Sequence, residues 1–173
     1  MDRRSRLLDE IIERELAMFL ATPNEGGTAS CQERPDTFRL MRKMAHGTHG
    51  EDYLESYLQD LIQAEFDKRN FMLEKYARMD NRLPPISYNP LLDKIADAEQ
   101  KFLEEAIPLT NGMIRPESAA NFRNYLRCEL ETLSDRTLEL YYKEIEQALR
   151  ENVNPVLQRH NWLQDQLSKQ TAN

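Results

Sequence analysis

Four glutamates stand where the helical pattern calls for apolar side chains. At about 100° per residue, Leu8, Ile11, Ile12 and Phe19 form a stripe with Glu15 in its middle. Leu54, Leu58, Leu61 and Met72 do the same around Glu65, Leu92, Ile95, Phe102 and Ala106 around Glu99, and Phe122, Leu126 and Leu133 around Glu129. A carboxylate drawn into an apolar interior is destabilising unless it is paired, protonated or metal-bound. One outcome is internal pairing with Arg39, Arg42, Lys68, Lys75 or Arg123. A second is a two-metal centre on Glu15, Glu65, Glu99 and Glu129. Such centres in helical bundles typically add Glu-x-x-His motifs, and here the residues three positions on are Met18, Lys68, Phe102 and Thr132. A third is a polar pocket in which Glu15 or Glu129 acts as acid or base, assisted by Tyr57, Lys75 or His160. Stripes wide enough to leave these glutamates at their solvated edges are the fourth.

The remaining reactive residue types are scattered. His160 shares a face with Val156, Leu163 and Leu167, and an unperturbed imidazole titrates at about 6.5, in the range useful for acid–base work. His46 and His49 follow Arg39 and Arg42 at the Arg-x-x-x-x-x-x-His spacing of helical ribonucleases. Cys31 lies just before a helix, where backbone N–H groups lower a thiol pKa, although a structural cysteine fits equally. Gly26-Gly27 lacks the Gly-Lys-Ser/Thr of a phosphate loop and is expected instead to let the backbone turn sharply. Tyr57, Tyr76, Tyr141 and Tyr142 can supply pocket hydroxyls or pack as core.

These residues must be positioned by helices. Five glycines, little strand-like alternation and abundant Leu, Glu, Lys, Arg and Gln predict an all-α fold. The expected architecture is one domain over residues 1–173, a bundle of six or seven helices with a long Gly-Gly-containing loop between the first two. Helix one is expected over Ser5–Ala21. A second follows an Asp36 N-cap and runs to Ala45, and a long third covers Glu51–Met79. A fourth occupies Pro90–Ala106, a fifth starts near Pro116, a break falls near Ser134, and a last helix spans Pro155–Leu167. Asn111-Gly112 reads as a turn and residues 168–173 as a frayed tail. The net charge of −7 argues against a general nucleic-acid or anionic-membrane binder. No apolar run approaches a membrane span, the opening residues lack a signal-peptide core, and two cysteines make no disulfide framework. A cytoplasmic protein is expected.

The segments NEGGTASCQ, TFRLMRK, LESYLQDL and RNFMLEKYARM, with LPPI and YLRCELETLSDRTLELY beyond them, resemble a bacterial family of uncharacterised proteins, the domain-of-unknown-function family forty-one twenty-five. The resemblance covers most of the chain. The chain keeps Asn24, Gly26, Gly27, Ala29, Ser30, Cys31, Gln32, Arg42, Ser56, Tyr57, Asp60, Asn70, Lys75, Tyr76 and Arg78 of the family pattern. It departs from it at Thr28, at Met44-Ala45-His46 and in lacking a tryptophan near His49, departures that bear on whether a common ligand would be bound identically. The resemblance carries no activity, but it implies that the loop is a pocket wall. Asn24, Gly27, Ser30, Cys31 and Gln32 would line it, Arg42 would pair an anionic group, and Arg39, Asp60, Asn70, Tyr76 and Arg78 are further candidate ligand-binding residues.

The resulting expectation is a small enzyme acting on a polar, amino-acid-like substrate through a buried carboxylate, with no organic cofactor. A non-enzymatic accessory or regulatory binding module, a carboxylate metalloprotein and a ribonuclease-like protein are the alternatives. A homodimer or a partner protein stays open.

Overall fold

The computed structural model describes residues 1–23 and 30–172. Among them run α1 (Arg3–Leu20), α2 (Pro35–His46), α3 (Glu51–Phe66), α4 (Phe71–Met79), α5 (Leu91–Ala106), α6 (Ser118–Leu130), α7 (Asp135–Arg150) and α8 (Pro155–Thr171). Short 3-10 turns at Ser30–Glu33 and Ile107–Leu109 complete the regular structure, and no strand occurs among the described residues. The fold is therefore all-α, as the composition predicts. The Gly-Gly loop, with Asn24 and Gly27, lies outside the described residues, as do the side chains of Ser30 and Cys31.

Helix ends follow from local chemistry. Asp2, Asn70, Ser134 and Asn154 each turn a side-chain oxygen onto the free N–H groups that open α1, α4, α7 and α8. The break expected at Ser134 is thus an N-cap. The cap expected at Asp36 is not formed: Arg34 holds that position without a side-chain bond, and Pro35 supplies the first helical turn.

The expected long helix over Glu51–Met79 is instead α3 and α4. Lys68 adopts φ 60°, while Lys68 N–H donates to Glu65 O at 3.2 Å and Arg69 N–H to Ala64 O at 2.7 Å. This double bond back into the helix is a Schellman termination. Asn81 ends α4 and Asn152 ends α7 in the same way, with φ of 57° and 55°. Asparagine tolerates that conformation and signals it in a sequence, whereas lysine does not. The expected Asn111-Gly112 turn is present, both residues at positive φ. The tail expected to fray from residue 168 continues as helix to Thr171.

The helices pack as two groups. α1 lies against α2, α3 and α4, while α5 lies against α6, α7 and α8. Contacts of α4 with α6, α3 with α7 and α2 with α8 join them. The core is the set of expected stripes: Ile11, Leu54, Leu61, Ile95 and Leu138 are wholly enclosed. Along the α3–α7 seam, Ser56 bonds Thr137 at 2.6 Å, and Asp60 accepts from the Thr137 hydroxyl at 2.7 Å and from Ser134 N–H at 3.1 Å. Among the described residues no helix is long and apolar enough to cross a membrane.

The strained Lys68 position generates a test. Replacing it with glycine should relieve a left-handed lysine and raise stability by about 0.5–1 kcal/mol, a balance of steric relief against unfolded-chain entropy. Urea denaturation of Lys68→Gly and Lys68→Ala should separate the two, with only glycine stabilising.

Candidate functional site

Glu15 is the centre of the first side-chain cluster. Its burial follows from its position in the stripe of α1, and its relative exposure is 0%. Arg42, on the buried face of α2, grips it with Nε at 3.1 Å and Nη2 at 2.9 Å. One turn on, His46 Nε2 lies 3.1 Å from both carboxylate oxygens. An ionised carboxylate only accepts, so Nε2 carries the hydrogen. From α3, the Tyr57 hydroxyl donates at 2.7 Å. Burial raises the Glu15 pKa, but Arg42 and His46 outweigh it and hold the group well below the carboxylate range.

Arg42 extends the cluster to α6. Its Nη2 is 2.8 Å from Glu129 Oε1, and the same oxygen accepts from Lys75 Nζ of α4 at 3.3 Å. Lys75, 1% exposed, also donates to the Tyr125 hydroxyl at 2.7 Å. Burial, then the charge of Glu129, pushes the Tyr125 phenol up to about 12, with Arg42 acting against them. Burial raises Glu129, while Arg42 and Lys75 prevail and leave it below the usual carboxylate value. Both cations meet Glu129 at Oε1, and Oε2 has no hydrogen-bond partner among the described residues. Fully buried side-chain oxygens there all have partners, so Oε2 faces open space.

That space is a cavity of about 580 Å³ between the two groups of helices. Its walls are aromatic, including Phe38, Tyr53, Tyr57, Tyr76, Phe122 and Tyr125. Arg42, His46 and Glu129 bring charge and hydrogen bonding to them. Glu15 and Gln32 are not on the wall, so the cavity expected to join Glu15, Gln32 and Arg42 reaches only Arg42. Glu15 acts behind it, fixing the guanidinium.

A second cluster borders the same cavity through Arg159 and Tyr141. Glu99 of α5 accepts from Arg159 Nη2 at 2.6 and 2.8 Å and from the Tyr141 hydroxyl at 2.8 Å. His49, stacked on Tyr53 with ring centroids 3.8 Å apart, pairs with Glu144 at 2.9 Å. Burial lowers the His49 pKa.

Three of the four inward carboxylates are therefore internal. Glu65 is the correction: it is exposed and pairs with Arg14, because α3 ends one residue later, at Phe66, which is itself exposed, and Met72 belongs to α4. Each of the four has a cationic partner. Among the described residues no group of three or more His, Cys, Asp or Glu could hold a metal ion, so the proposed metal set is not assembled.

Several expected site residues serve the scaffold instead. Arg39 pairs with Glu13 and Asp36 and is not on the cavity wall. Asp60 holds the start of α7, and Asn70 caps α4 while donating to Met18 O at 2.8 Å. Arg78 bridges Glu131 and Leu83 O. Gln32 ties its turn to Phe19 O and Thr22 O at 2.9 and 3.0 Å. His160 is partly buried and does not line the cavity. Tyr76 does line it, as do His46 and His49, so the arginine–histidine spacing places Arg42, not Arg39, beside them.

Tyr125, Arg159 and Glu144 do not stand out from the apolar stripes. Tyr125 had a readable signal, since it lies one turn before Glu129 on the same face of α6. Arg159 and Glu144 had none, because their partners come from distant helices.

Fold and site together define a single-domain helical protein enclosing an aromatic cavity above an internal charge cluster. Residues 5–171 match the model of the family described as "Protein of unknown function (DUF4125)". The chain belongs to that family. No curated protein and no solved structure matches it.

Two predictions follow from the buried charges. Glu15→Gln should lower stability by about 3–5 kcal/mol by leaving Arg42 under-compensated, read by chemical denaturation. For pH, the folded pKa of His49 lies below its ordinary value of 6.5. The unfolded chain then binds more protons there, so stability present above about 6.5 is lost as pH falls toward the folded pKa. Glu15 and Glu129, also lowered, add their losses below the ordinary 4.5. A His49→Gln chain should show a flatter stability profile between about pH 7 and 5, with the acid limb retained.

Proposed function

We propose that this protein is an enzyme that draws a small, polar, amino-acid-like molecule into the cavity and acts on it by acid–base chemistry centred on Glu129, with no organic cofactor. One observation carries the reading. Among the described internal carboxylates, Glu129 alone is fixed by two cations through one oxygen, with the other oxygen unpaired, and lines an aromatic cavity.

Electrostatics favours a net-neutral ligand carrying both charges. Arg42 and Lys75 are balanced by Glu15 and Glu129, and a poorly solvated site disfavours any ligand that breaks that neutrality. A zwitterion meets the condition: an ammonium group pairs with Glu129 Oε2, a carboxylate approaches Arg42, and an apolar side chain takes the aromatic wall.

The chemistry divides in the same way. Glu129 is ionised before reaction and, through Oε2, would take a proton from a substrate C–H beside the ammonium group, the C–H electron pair moving onto the adjacent carbonyl oxygen. Being held below its ordinary pKa it is a modest base, so the site must also acidify the substrate. Tyr125 fits that task. Its pKa of about 12 keeps the phenol protonated, and because Lys75 donates to its oxygen, the hydroxyl hydrogen is free to meet a developing oxyanion. Lys75 orients Tyr125, and Glu15 with Tyr57 orients Arg42. The geometry thus supports Glu129 and Tyr125 as the acting pair, with Glu15, Tyr57 and Lys75 in positioning roles.

A binding module with no turnover is the second reading, favoured by the complete ion pairing of the internal carboxylates. The ribonuclease-like alternative has less support, since His46 Nε2 is committed to Glu15 and the chain is acidic overall.

A thermal-shift and turnover screen of amino acids, their amides and their decarboxylated amines tests the proposal. At least one zwitterion should stabilise the wild type. Glu129→Gln should weaken its binding at least about tenfold, whereas Tyr125→Phe should reduce turnover by about 10²–10³ and binding little. If Tyr125→Phe leaves the ligand's fate unchanged and the wild type returns it intact, the protein is a binder. If no zwitterion binds, the assignment fails.

A further inference from the structure

We propose that a groove on the outer side of the Arg159–His49 wall is a second ligand site, suited to a phosphate-bearing molecule with a planar ring, of the mononucleotide class. It does not depend on the chemistry assigned to Glu129. The groove, about 790 Å³, runs between the end of α2 and the first half of α8, with Arg4 of α1 at its edge. Its size falls within the roughly 300–1,000 Å³ typical of small-molecule sites.

Its charge sets it apart from the molecule. The chain carries a net −7, yet among the described residues no Asp or Glu lines the groove, while Arg4, Lys43 and Arg159 do. Arg159 is neutralised by Glu99. Arg4 is not: its hydrogen bonds go to the carbonyls of Gly47 at 2.7 Å and His49 at 2.8 Å, neutral acceptors that leave its positive charge intact. Lys43 is exposed and has no ion-pair partner among the described residues. Burial keeps His49 from adding a proton. Two uncompensated cations thus face one groove. Glu144, bonded to the lining residues His49 and Gly50, lines the neighbouring groove instead, and Arg4 with Lys43 gives this one a local surplus of positive charge that attracts an anion.

The rest of the lining recognises more than charge. Trp162, the only tryptophan in the chain, and the Arg159 guanidinium offer planar surfaces for a ring. Gln158 and Asn161 offer amides, each a donor and an acceptor, for the edge of a base. Arg4 and Lys43 would take the phosphate oxygens. Phosphate cations, a stacking surface and edge-reading amides are together the complement of a nucleotide.

Because Trp162 is the sole tryptophan, its fluorescence reports this groove. Titration of the full-length protein with ADP at fixed ionic strength should give a saturable change, corrected for absorbance and checked by calorimetry. Pyrophosphate should compete and bind more weakly than ADP. Lys43→Glu should reduce ADP affinity about tenfold, with Lys43→Arg restoring it; both changes are at an exposed position and leave the fold intact. No saturable response up to about 5 mM ADP, a range that covers weak millimolar binding, would overturn the site. So would affinity indifferent to Lys43→Glu. Equal binding of pyrophosphate and ADP would overturn the nucleotide class.

Discussion

The carboxylate of Glu15 has no access to water, and the structure is organised around that fact. An unpaired ionised group there would destabilise the fold severely, so neighbouring helices must bring donors to it. α2 brings Arg42 and His46, and α3 brings Tyr57. Once Arg42 is held, its remaining reach extends to Glu129 on α6, which in turn draws in Lys75 from α4. One buried charge thus ties together the helices of the first group and crosses to the second.

Glu99 plays the matching role in the second group, joining α5 to α7 through Tyr141 and to α8 through Arg159. Glu131 does so between α4 and α6 through Arg78, with Arg127 alongside. Replacing buried ion pairs by apolar residues is often neutral or stabilising. Their value here is therefore better sought in arrangement than in net stability, because each pair accepts only one relative placement of its helices. The cavity lies where the two charged centres approach each other, and its walls are largely aromatic. Glu129 belongs to both descriptions: it is a structural counter-ion at one oxygen and open to the cavity at the other.

Much of this was legible along the chain. The apolar stripes identify the buried faces, and they place Glu15, Glu99 and Glu129 correctly because each sits near a stripe's centre. Glu65 misleads because its stripe is drawn on through Met72, whereas α3 ends at Phe66 and Met72 belongs to α4. The α3–α4 break is hidden because Lys68 takes a conformation that asparagine takes at Asn81 and Asn152. Asp60, Asn70 and Arg78 look like ligand residues by type, yet their partners are helix ends and backbone carbonyls that no linear pattern names. The resemblance to the family is matched over residues 5–171.

The sequence by itself determined the all-helical architecture, most helix limits and three of the acids that turn inward, Glu15, Glu99 and Glu129, since these depend on periodicity and on caps a few residues away; it did not mark Glu131, which is also buried. Only the tertiary structure decided what those acids meet. Arg42 and Tyr57 lie 27 and 42 positions from Glu15, and Arg159 lies 60 from Glu99. Such partners are chosen by the way helices cross, not by spacing within one helix. The same holds for the cavity and the cationic groove, which exist only between elements.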